Sequence, residues 1–154
     1  MMEVLTNRLY LRPFTAEDAE PALAWLGDAE AMRYIEPVFD VAKAEAFIRT
    51  CGHLVYCLCL RESGLPIGHV IWHPFMGQKD KWELGWILAP GYWGRGYARE
   101  ISKALIEKAR EEGICEIILE AVPENVASIC VIEALGAVYS HTDGDGLVVW
   151  HIVL

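Results

Sequence analysis

The chain has 154 residues, 54% of them hydrophobic and 23% charged, a composition that suits a packed globular domain and excludes a disordered or repetitive chain. Its 13 Lys and Arg against 22 Asp and Glu give a net charge of −9, which argues against nucleic-acid binding, because such binding requires that many phosphates be neutralised. The longest apolar run, residues 54–60, is too short to span a bilayer.

The cysteine pattern and the start of the chain favour a cytoplasmic protein. The five cysteines form no Cys-x-x-Cys pair, and no basic and apolar leader opens the sequence. We therefore expect reduced, buried thiols, no secretion signal and no membrane partner. Because neither a repeat nor a linker divides the sequence, we predict a single domain over residues 1–154.

The first half of the chain predicts strands and short helices. Residues 7–14 alternate apolar and polar side chains, and Thr15 with Asp18 three residues later resembles a helix-capping box. The predicted elements are, in order, a strand at 7–14, a helix from Thr15 to Leu26, helices at 28–35 and 41–50, and strands at 54–61 and 67–73 that form a hairpin.

The second half completes a meander and then alternates helices with strands. The predicted elements are a polar turn at 77–81, a strand at 82–88, a helix at 94–112 ended by Gly113, a strand at 114–122, a helix at 125–135, and strands at 137–141 and 147–154. Because this order is not strictly β-α-β, we expect a mixed α/β sandwich with helices on both faces of its sheet.

Residues 82–99 are the most informative stretch of the sequence. A predicted strand runs into a glycine-rich loop with Gly94 and Gly96, and this loop opens a helix. Glycines let backbone N–H groups approach a ligand, and a helix start offers unpaired donors, which together suit a phosphate or pyrophosphate. Five of the 13 cations lie in or just after this loop: Arg95, Arg99, Lys103, Lys108 and Arg110. The alternative is a tight turn followed by a solvated basic helix face.

Two common phosphate loops do not match this stretch. A P-loop is excluded because the chain has no Gly-Lys-Ser/Thr sequence. A dinucleotide-binding fingerprint would use Gly94 and Gly96, with Glu120 near the expected ribose-binding acid, but it requires a small residue where Arg99 stands.

A third type of loop fits. The segment Trp93-Gly94-Arg95-Gly96-Tyr97-Ala98 resembles the Gln/Arg-x-x-Gly-x-Gly/Ala loop of the GNAT superfamily of acetyl-CoA-dependent N-acetyltransferases, with Trp93 in place of Gln or Arg. Residues 6–14 (TNRLYLRPF), and Asn125-Val-Ala-Ser128 followed by Glu133-Ala-Leu-Gly136, resemble the ribosomal-protein N-terminal (alanine or serine) acetyltransferase branch of that superfamily.

The resemblance implies the GNAT fold, of the α/β (α+β) class, with a mixed, mostly antiparallel sheet that splays apart where acetyl-CoA binds. It implies backbone hydrogen bonds from Trp86, Ile87 and Leu88 to the pantetheine arm. It further implies that residues 93–98, with Arg99 next to them, hold the pyrophosphate. Asn125 would contact the arm from the other side, and it can also cap its helix through Ser128. No metal cofactor is expected.

Acetyl transfer to an amine needs a proton acceptor for the amine and a donor for the departing thiolate. Glu83 is the candidate base, because it interrupts an apolar strand roughly 16 Å before Leu88; the alternative is an ordinary outward-facing polar residue. Many members of the superfamily place a donor Tyr at the position of Ile132. The resemblance to the branch implies Ser128 instead, and a backbone amide or water is the alternative.

We therefore expect direct transfer of acetyl, in a ternary complex, to a primary amine that belongs to a small molecule or to a protein N-terminus. Eight acids against two cations between residues 17 and 45 are compatible with a cationic acceptor, and a solvated acidic face is the commoner explanation for them. A CoA-binding regulatory module without catalysis is the alternative function, favoured by the lack of Tyr at position 132. The sequence does not identify the amine, and it does not determine whether the protein forms a homodimer.

The predicted hairpin at 54–73 also raises a metal hypothesis. If the hairpin pairs Arg61 with Ile67, Cys59 faces His69, and Cys57 and His73 lie on the same side of the sheet. Small buried cysteines beside a histidine whose hydrogen bonds are satisfied are the commoner arrangement. We therefore predict no metal site.

Overall fold

A computed structural model describes residues 3–154 as eight β-strands and four α-helices. The strands are β1 (Val4–Leu5), β2 (Leu9–Pro13), β3 (Val55–Leu60), β4 (Pro66–Phe75), β5 (Gln78–Leu88), β6 (Glu116–Ala121), β7 (Val138–Thr142) and β8 (Val148–Val153). The helices are α1 (Leu23–Leu26), α2 (Val41–Cys51), α3 (Tyr97–Glu111) and α4 (Val126–Ala134). None of the helices within residues 3–154 has the length and apolar character needed to cross a membrane.

The strands form one mixed sheet in the order β1-β2-β3-β4-β5-β6-β8-β7. β5 and β6 are parallel, whereas β1–β2, β2–β3, β3–β4, β6–β8 and β7–β8 are antiparallel. The prediction of an α/β fold with a mixed, mostly antiparallel sheet is therefore confirmed.

The described chain forms two compact units, and the first comprises residues 3–71 and 86–97. Its core gathers apolar side chains from the segment 19–48 and from the end of β5: Ala19, Ala22, Trp25, Leu26, Met32, Phe39, Ala44, Ile48, Ile87 and Ala89. Each large side chain buried in this way contributes about 1.5–3 kcal/mol to folding.

Two polar contacts are buried within the first unit. Arg12 donates two hydrogen bonds of 2.8 Å to the Asp18 carboxylate, which also accepts the backbone N–H of Thr15. Burial opposes ionisation of Asp18, but these hydrogen bonds outweigh it and lower the pKa of the carboxyl. Farther inside, the Trp25 indole donates to Nδ1 of His69 at 2.8 Å, and burial lowers the pKa of His69 to about 4.

The second unit comprises residues 72–85 and 98–154. The apolar residues of α3 recur with helical spacing and face the core, since Ile101, Leu105 and Ala109 are fully buried. On the sheet, Trp72 of β4 and Trp82 of β5 stack with their ring centroids 5.1 Å apart. This stacking leaves the residues next to them, His73 and Glu83, on the opposite face of the sheet.

The helix predicted over residues 28–35 was wrong. The segment is a series of turns, in which the Asp28 carboxylate accepts the backbone N–H of Ala31 at 2.9 Å. This bond has the geometry of a helix N-cap, and the N–H of Met32 bonds four residues back to Asp28, but the N–H groups of Arg33 and Ile35 bond three residues back, so a regular helix does not continue.

Two element boundaries also differ from the prediction. The helix predicted from Thr15 to Leu26 is a 3₁₀ turn at Ala16–Asp18 followed by the short α1, although the capping box at Thr15 is confirmed. β5 begins at Gln78, within the polar turn predicted at 77–81, because Met76 and Gly77 reverse the chain with φ of 49° and 75°. A two-residue turn with both φ positive joins two strands directly.

Candidate active site

The glycine-rich loop lies in the first unit, between the end of β5 and the start of α3. Gly94 and Gly96 have φ of 73° and 79°, the left-handed conformation that disfavours any side chain. A Cβ added at Gly94 would meet no atom within 4 Å, so the backbone there borders open space. The residues present thus fit an anionic group such as a pyrophosphate, which would approach the loop from that side.

Trp93, which departs from the Gln or Arg of the family loop, fastens this loop to the strand before it. Its indole Nε1 donates a hydrogen bond of 2.9 Å to the carbonyl oxygen of Leu88, although the side chain is 46% exposed. At the same strand end, the N–H of Ala89 donates to the carbonyl of Ile67 at 2.8 Å. The start of the loop is therefore held by side chain and backbone together.

Arg8 is a second cation at the loop that the sequence analysis did not single out. Its guanidinium lies 4.3 Å from the ring centroid of Tyr97, and its Nη2 atom would lie 3.6 Å from a Cβ at Gly96. Arg95 similarly lies over the ring of Tyr92, at 5.5 Å. In the sequence Arg8 stood out only as part of the N-terminal motif, because its contacts with Gly96 and Tyr97 join segments nearly 90 residues apart.

The basic cluster at residues 95–110 divides into paired and unpaired cations. Lys108 forms an ion pair of 2.8 Å with Glu112, and Arg110 pairs with Glu107 on the same helix. Within residues 3–154, Arg95, Arg99 and Lys103 form no ion pair. The positive charge available to an anion is therefore smaller than the charge of the five cations counted in the sequence.

Glu83 lies in the second unit beside a histidine. Oε2 of Glu83 is 3.6 Å from Nε2 of His73, and both side chains are partly exposed. Nδ1 of His73 is 2.8 Å from the carbonyl oxygen of Pro74. Because a carbonyl oxygen only accepts, this hydrogen bond places a hydrogen on Nδ1, and Nε2 is the ring nitrogen that faces Glu83.

A second carboxylate lies on the other side of Glu83. The parallel register pairs Glu83 with Ile118, so Glu120 follows two residues later on the same face of the sheet. Burial raises the pKa of Glu120, and the negative charge of Glu83 together with a hydrogen bond between the two carboxyls raises it further. Three more ionisable groups share this face: Lys81, Glu116 and His151.

The start of α4 carries the other two candidate residues. Oδ1 of Asn125 accepts the backbone N–H of Ser128 at 3.3 Å, which confirms the predicted capping. In the described part of the chain, the Ser128 hydroxyl makes no hydrogen bond to protein. Ile132, which replaces the donor Tyr of many GNAT enzymes, is only 2% exposed.

The structure brings some of the predicted site residues into contact. In the first unit Trp93 is hydrogen-bonded to Leu88, and in the second unit Glu83 lies beside His73 and Glu120, which were not predicted as site residues. No hydrogen bond links Glu83 to Ser128 anywhere in residues 3–154. Sequence patterns could not identify His73 and Glu120 as neighbours of Glu83, because the β4–β5 turn and the β5–β6 register place them there.

The register assumed for the metal hypothesis was wrong. The hairpin pairs Cys57 with His69, and a bulge between Leu58 and Cys59 then places Cys59 opposite Pro66. His69 is instead bound by Trp25. Across residues 3–154, no three His, Cys, Asp or Glu side chains are grouped so as to hold a metal ion.

Comparison with known proteins places these features in a family. A family model described as acetyltransferase (GNAT) domain matches residues 8–138. The uncharacterized N-acetyltransferase YnaD of Bacillus subtilis is 31% identical over 140 residues, which cover 88% of this chain and 82% of YnaD.

Solved structures share the fold. The structure of a GNAT-family acetyltransferase from Bacillus anthracis is 26% identical, with a TM-score of 0.89, and the match covers 99% of this chain and 98% of that one. A Vibrio cholerae protein provisionally named ribosomal-protein-serine acetyltransferase is 21% identical, with a TM-score of 0.87 over 99% and 98% of the two chains. The second likeness concerns the fold alone.

Proposed function

The chain belongs to the GNAT acetyltransferase family, and on that premise we propose that it transfers acetyl from acetyl-CoA to a primary amine of a protein N-terminus or a small molecule. The transfer is direct, in a ternary complex, and residues 1–154 act as one catalytic domain. The observation that carries the proposal is Glu83, a partly exposed carboxylate 3.6 Å from Nε2 of His73, in the strand that leads to the glycine-rich loop.

The first part of the proposal concerns the cofactor. Backbone N–H groups of residues 93–98 hold the pyrophosphate, helped by the side chains of Arg95 and Arg99, which are both exposed. The left-handed glycines and the open space at Gly94 support this assignment. Arg8, next to Gly96, adds a further positive charge.

The pantetheine arm is assigned to the end of β5 and the start of α4. The ladder between β5 and β6 covers Lys81 to Glu83, while β5 continues to Leu88. Backbone groups of Trp86, Ile87 and Leu88 contact the arm, and the carbonyl of Leu88 does so while already bonded to Trp93. The Asn125 oxygen is occupied by capping, so its amide N–H₂ group makes the contact.

Glu83 is the proposed base. Acetyl-CoA supplies an activated thioester, and the acceptor amine attacks it only when its nitrogen has a free electron pair. The Glu83 carboxylate takes a proton from the ammonium group, whose N–H bond breaks and leaves the pair on nitrogen. That pair forms the new C–N bond as the C–S bond breaks, and the nitrogen then loses its second proton, so that one of the two released protons ends on the sulfur of CoA.

Ser128 is the proposed donor to the departing sulfur. Its half-buried hydroxyl makes no hydrogen bond within residues 3–154, so it can donate without breaking another contact. The electron pair of the C–S bond goes to sulfur, and the hydroxyl hydrogen bond stabilises the resulting thiolate until it is protonated. Buried Ile132 has no donor to offer in this role.

The acceptor is proposed to be a cationic amine. Residues 17–45 hold eight acids, of which Asp18 is neutralised by Arg12 and Glu36 pairs with Lys43. The remaining acids give this segment a negative surface that attracts an ammonium group. This charge fits a peptide N-terminus and a small polyamine equally well.

Two measurements test the proposal. Isothermal titration with CoA reports cofactor binding, and thiol release with a panel of amines, each product identified by mass spectrometry, reports transfer. We expect CoA to bind and at least one amine to be acetylated. Binding of CoA without transfer to any amine would instead establish the regulatory module that the buried Ile132 favours.

A further inference from the structure

The transfer proposed above releases two protons from the acceptor nitrogen. An ammonium group carries three hydrogens and the amide product carries one, so one proton leaves before the attack and one after it. A single one of these protons ends on the sulfur of CoA. The other must reach solvent, and one carboxylate holds only one proton at a time.

We propose that His73 is the second proton acceptor of this reaction, a positioning residue that takes from Glu83 the one proton that does not end on sulfur and passes it to solvent. This inference rests on the proposed function. Nε2 of His73 lies 3.6 Å from Oε2 of Glu83, a distance that shortens or is bridged by one water when the acceptor binds.

The tautomer of His73 suits this role. The hydrogen bond from Nδ1 to the carbonyl oxygen of Pro74, at 2.8 Å, keeps the ring hydrogen on Nδ1 and leaves an electron pair on Nε2. When Glu83 becomes protonated, its O–H bond breaks, and the Nε2 pair forms a new N–H bond. The resulting imidazolium stands beside a restored carboxylate, and its side chain, 20% exposed, loses the proton to water.

Glu120 holds the other side of Glu83. Burial, and after it the negative charge of Glu83, raise the pKa of the Glu120 carboxyl. On the proposed path, the proton that Glu83 takes from the amine leaves by way of His73, whose Nε2 faces Glu83. Asp143 adds negative charge near Glu120.

The other ionisable groups of this face form a separate network. Glu116 accepts from Lys81 at 3.2 Å and contacts Nδ1 of His151 at 2.9 Å. His151 thus has its own carboxylate partner, and it provides a matched histidine control on the same face of the sheet.

The test compares His73→Gln with His151→Gln in acetyl transfer to whichever probe amine of the panel the wild type accepts. Both variants are first checked for thermal stability and for CoA affinity. The readout is the ratio of wild-type to variant kcat/KM across pH. We expect a loss of about tenfold for His73→Gln below the pKa of the probe amine. The loss should shrink toward unity above that pKa, because the amine then arrives neutral and sheds only one proton.

The outcomes separate the two proposals. A wild type that acetylates no amine overturns the proposed function and the proton path with it. An active wild type with a pH-independent ratio for His73→Gln, or with the same profile for His151→Gln, overturns the proton path and leaves the function standing.

A second test uses the wild-type protein alone, so its result does not depend on whether a variant folds. The ¹⁵N chemical shifts of the His73 ring distinguish its two neutral tautomers. We expect hydrogen on Nδ1 and none on Nε2. Hydrogen on Nε2 would make His73 a donor to Glu83 and would refute the proton path.

Discussion

The indole Nε1 of Trp93 donates a hydrogen bond of 2.9 Å to the carbonyl oxygen of Leu88. This bond joins the first residue of the glycine-rich loop to the last residue of β5. The loop motif therefore tolerates a tryptophan at a position where the family has Gln or Arg, because the indole N–H supplies a donor at that place.

Removing this donor should loosen the loop. We expect Trp93→Phe to weaken CoA binding about fivefold, since one hydrogen bond contributes roughly 1 kcal/mol, with little change in kcat. Isothermal titration measures the effect. Trp82→Phe is the matched control, because the Trp82 indole also donates to a backbone carbonyl, that of Lys79 at 3.0 Å. Equal losses in both variants would show that the Trp93 bond has no specific part in cofactor binding.

Gly94→Ala should harm both folding and binding. The added methyl group forces φ of 73° on a residue with a side chain, at a cost of about 1 kcal/mol, and it enters the space assigned to the pyrophosphate. Gly64→Ala is the control, since Gly64 has φ of 75° and equally open surroundings in the β3–β4 turn. Thermal denaturation should show similar losses for both variants, whereas titration with CoA should show weakened binding for Gly94→Ala alone. Unchanged CoA affinity in Gly94→Ala would contradict the assignment of the loop.

Glu83→Gln should remove the base and leave the binding of cofactor intact. We expect kcat/KM to fall about 100-fold or more, with CoA affinity unchanged. Glu116→Gln, on the same face of the sheet, should retain activity because its partners are Lys81 and His151. Steady-state rates of thiol release across pH provide the comparison, and a Glu83→Gln variant with normal rates at every pH would exclude Glu83 as base.

Ser128→Ala should lower kcat about tenfold through loss of one hydrogen bond to the thiolate. The helix start should survive, because Asn125 caps it through the backbone N–H of residue 128 and not through the hydroxyl. Circular dichroism measures whether the helix is intact, and thiol release measures kcat. Cys130→Ala, an exposed change on the same helix, serves as the control. If kcat is unaffected, a backbone amide or a water molecule fills the role.

His69 should make the stability of the protein depend on pH. Its pKa is about 4 in the folded protein and about 6.5 when unfolded, so the unfolded chain binds the extra proton between these values. Stability should therefore fall as the pH drops through this window, by up to about 1.4 kcal/mol per pH unit. His69→Gln keeps an acceptor for Trp25 but does not titrate, and urea unfolding at several pH values should show a flatter curve. Parallel curves for the two proteins would contradict the prediction.

Local patterns in the sequence predicted most of the strands and the long helices, because each depends on the alternation or period of its own residues. The stripe of Ile101, Leu105 and Ala109 fixed the buried side of α3 in this way. The turns at 28–35 were missed because the N–H groups of Arg33 and Ile35 bond three residues back and not four, a difference that apolar periodicity does not record.

The surroundings of Glu83 could not be predicted in the same manner. His73 reaches it across the β4–β5 turn, and Glu120 reaches it through the parallel register with β6. Both placements depend on how strands align with one another. The β3–β4 hairpin pairs Cys57 and not Cys59 with His69, and the bulge after Leu58 shifts Cys59 by one further residue to Pro66; neither change leaves a mark in the sequence.

Within residues 3–154, Arg95, Arg99 and Lys103 form no ion pair. These three cations determine how the rate at which the acidic protein binds a polyanion depends on ionic strength. At physiological ionic strength the Debye length is about 8 Å, so an approaching phosphate is screened from most of the net charge of −9. Within that distance of the loop, it meets the unpaired cations, because Lys108 and Arg110 are neutralised on their own helix. Dilution of the salt extends the repulsion by the distant acids and slows the encounter, so the association rate constant should rise with ionic strength before it falls.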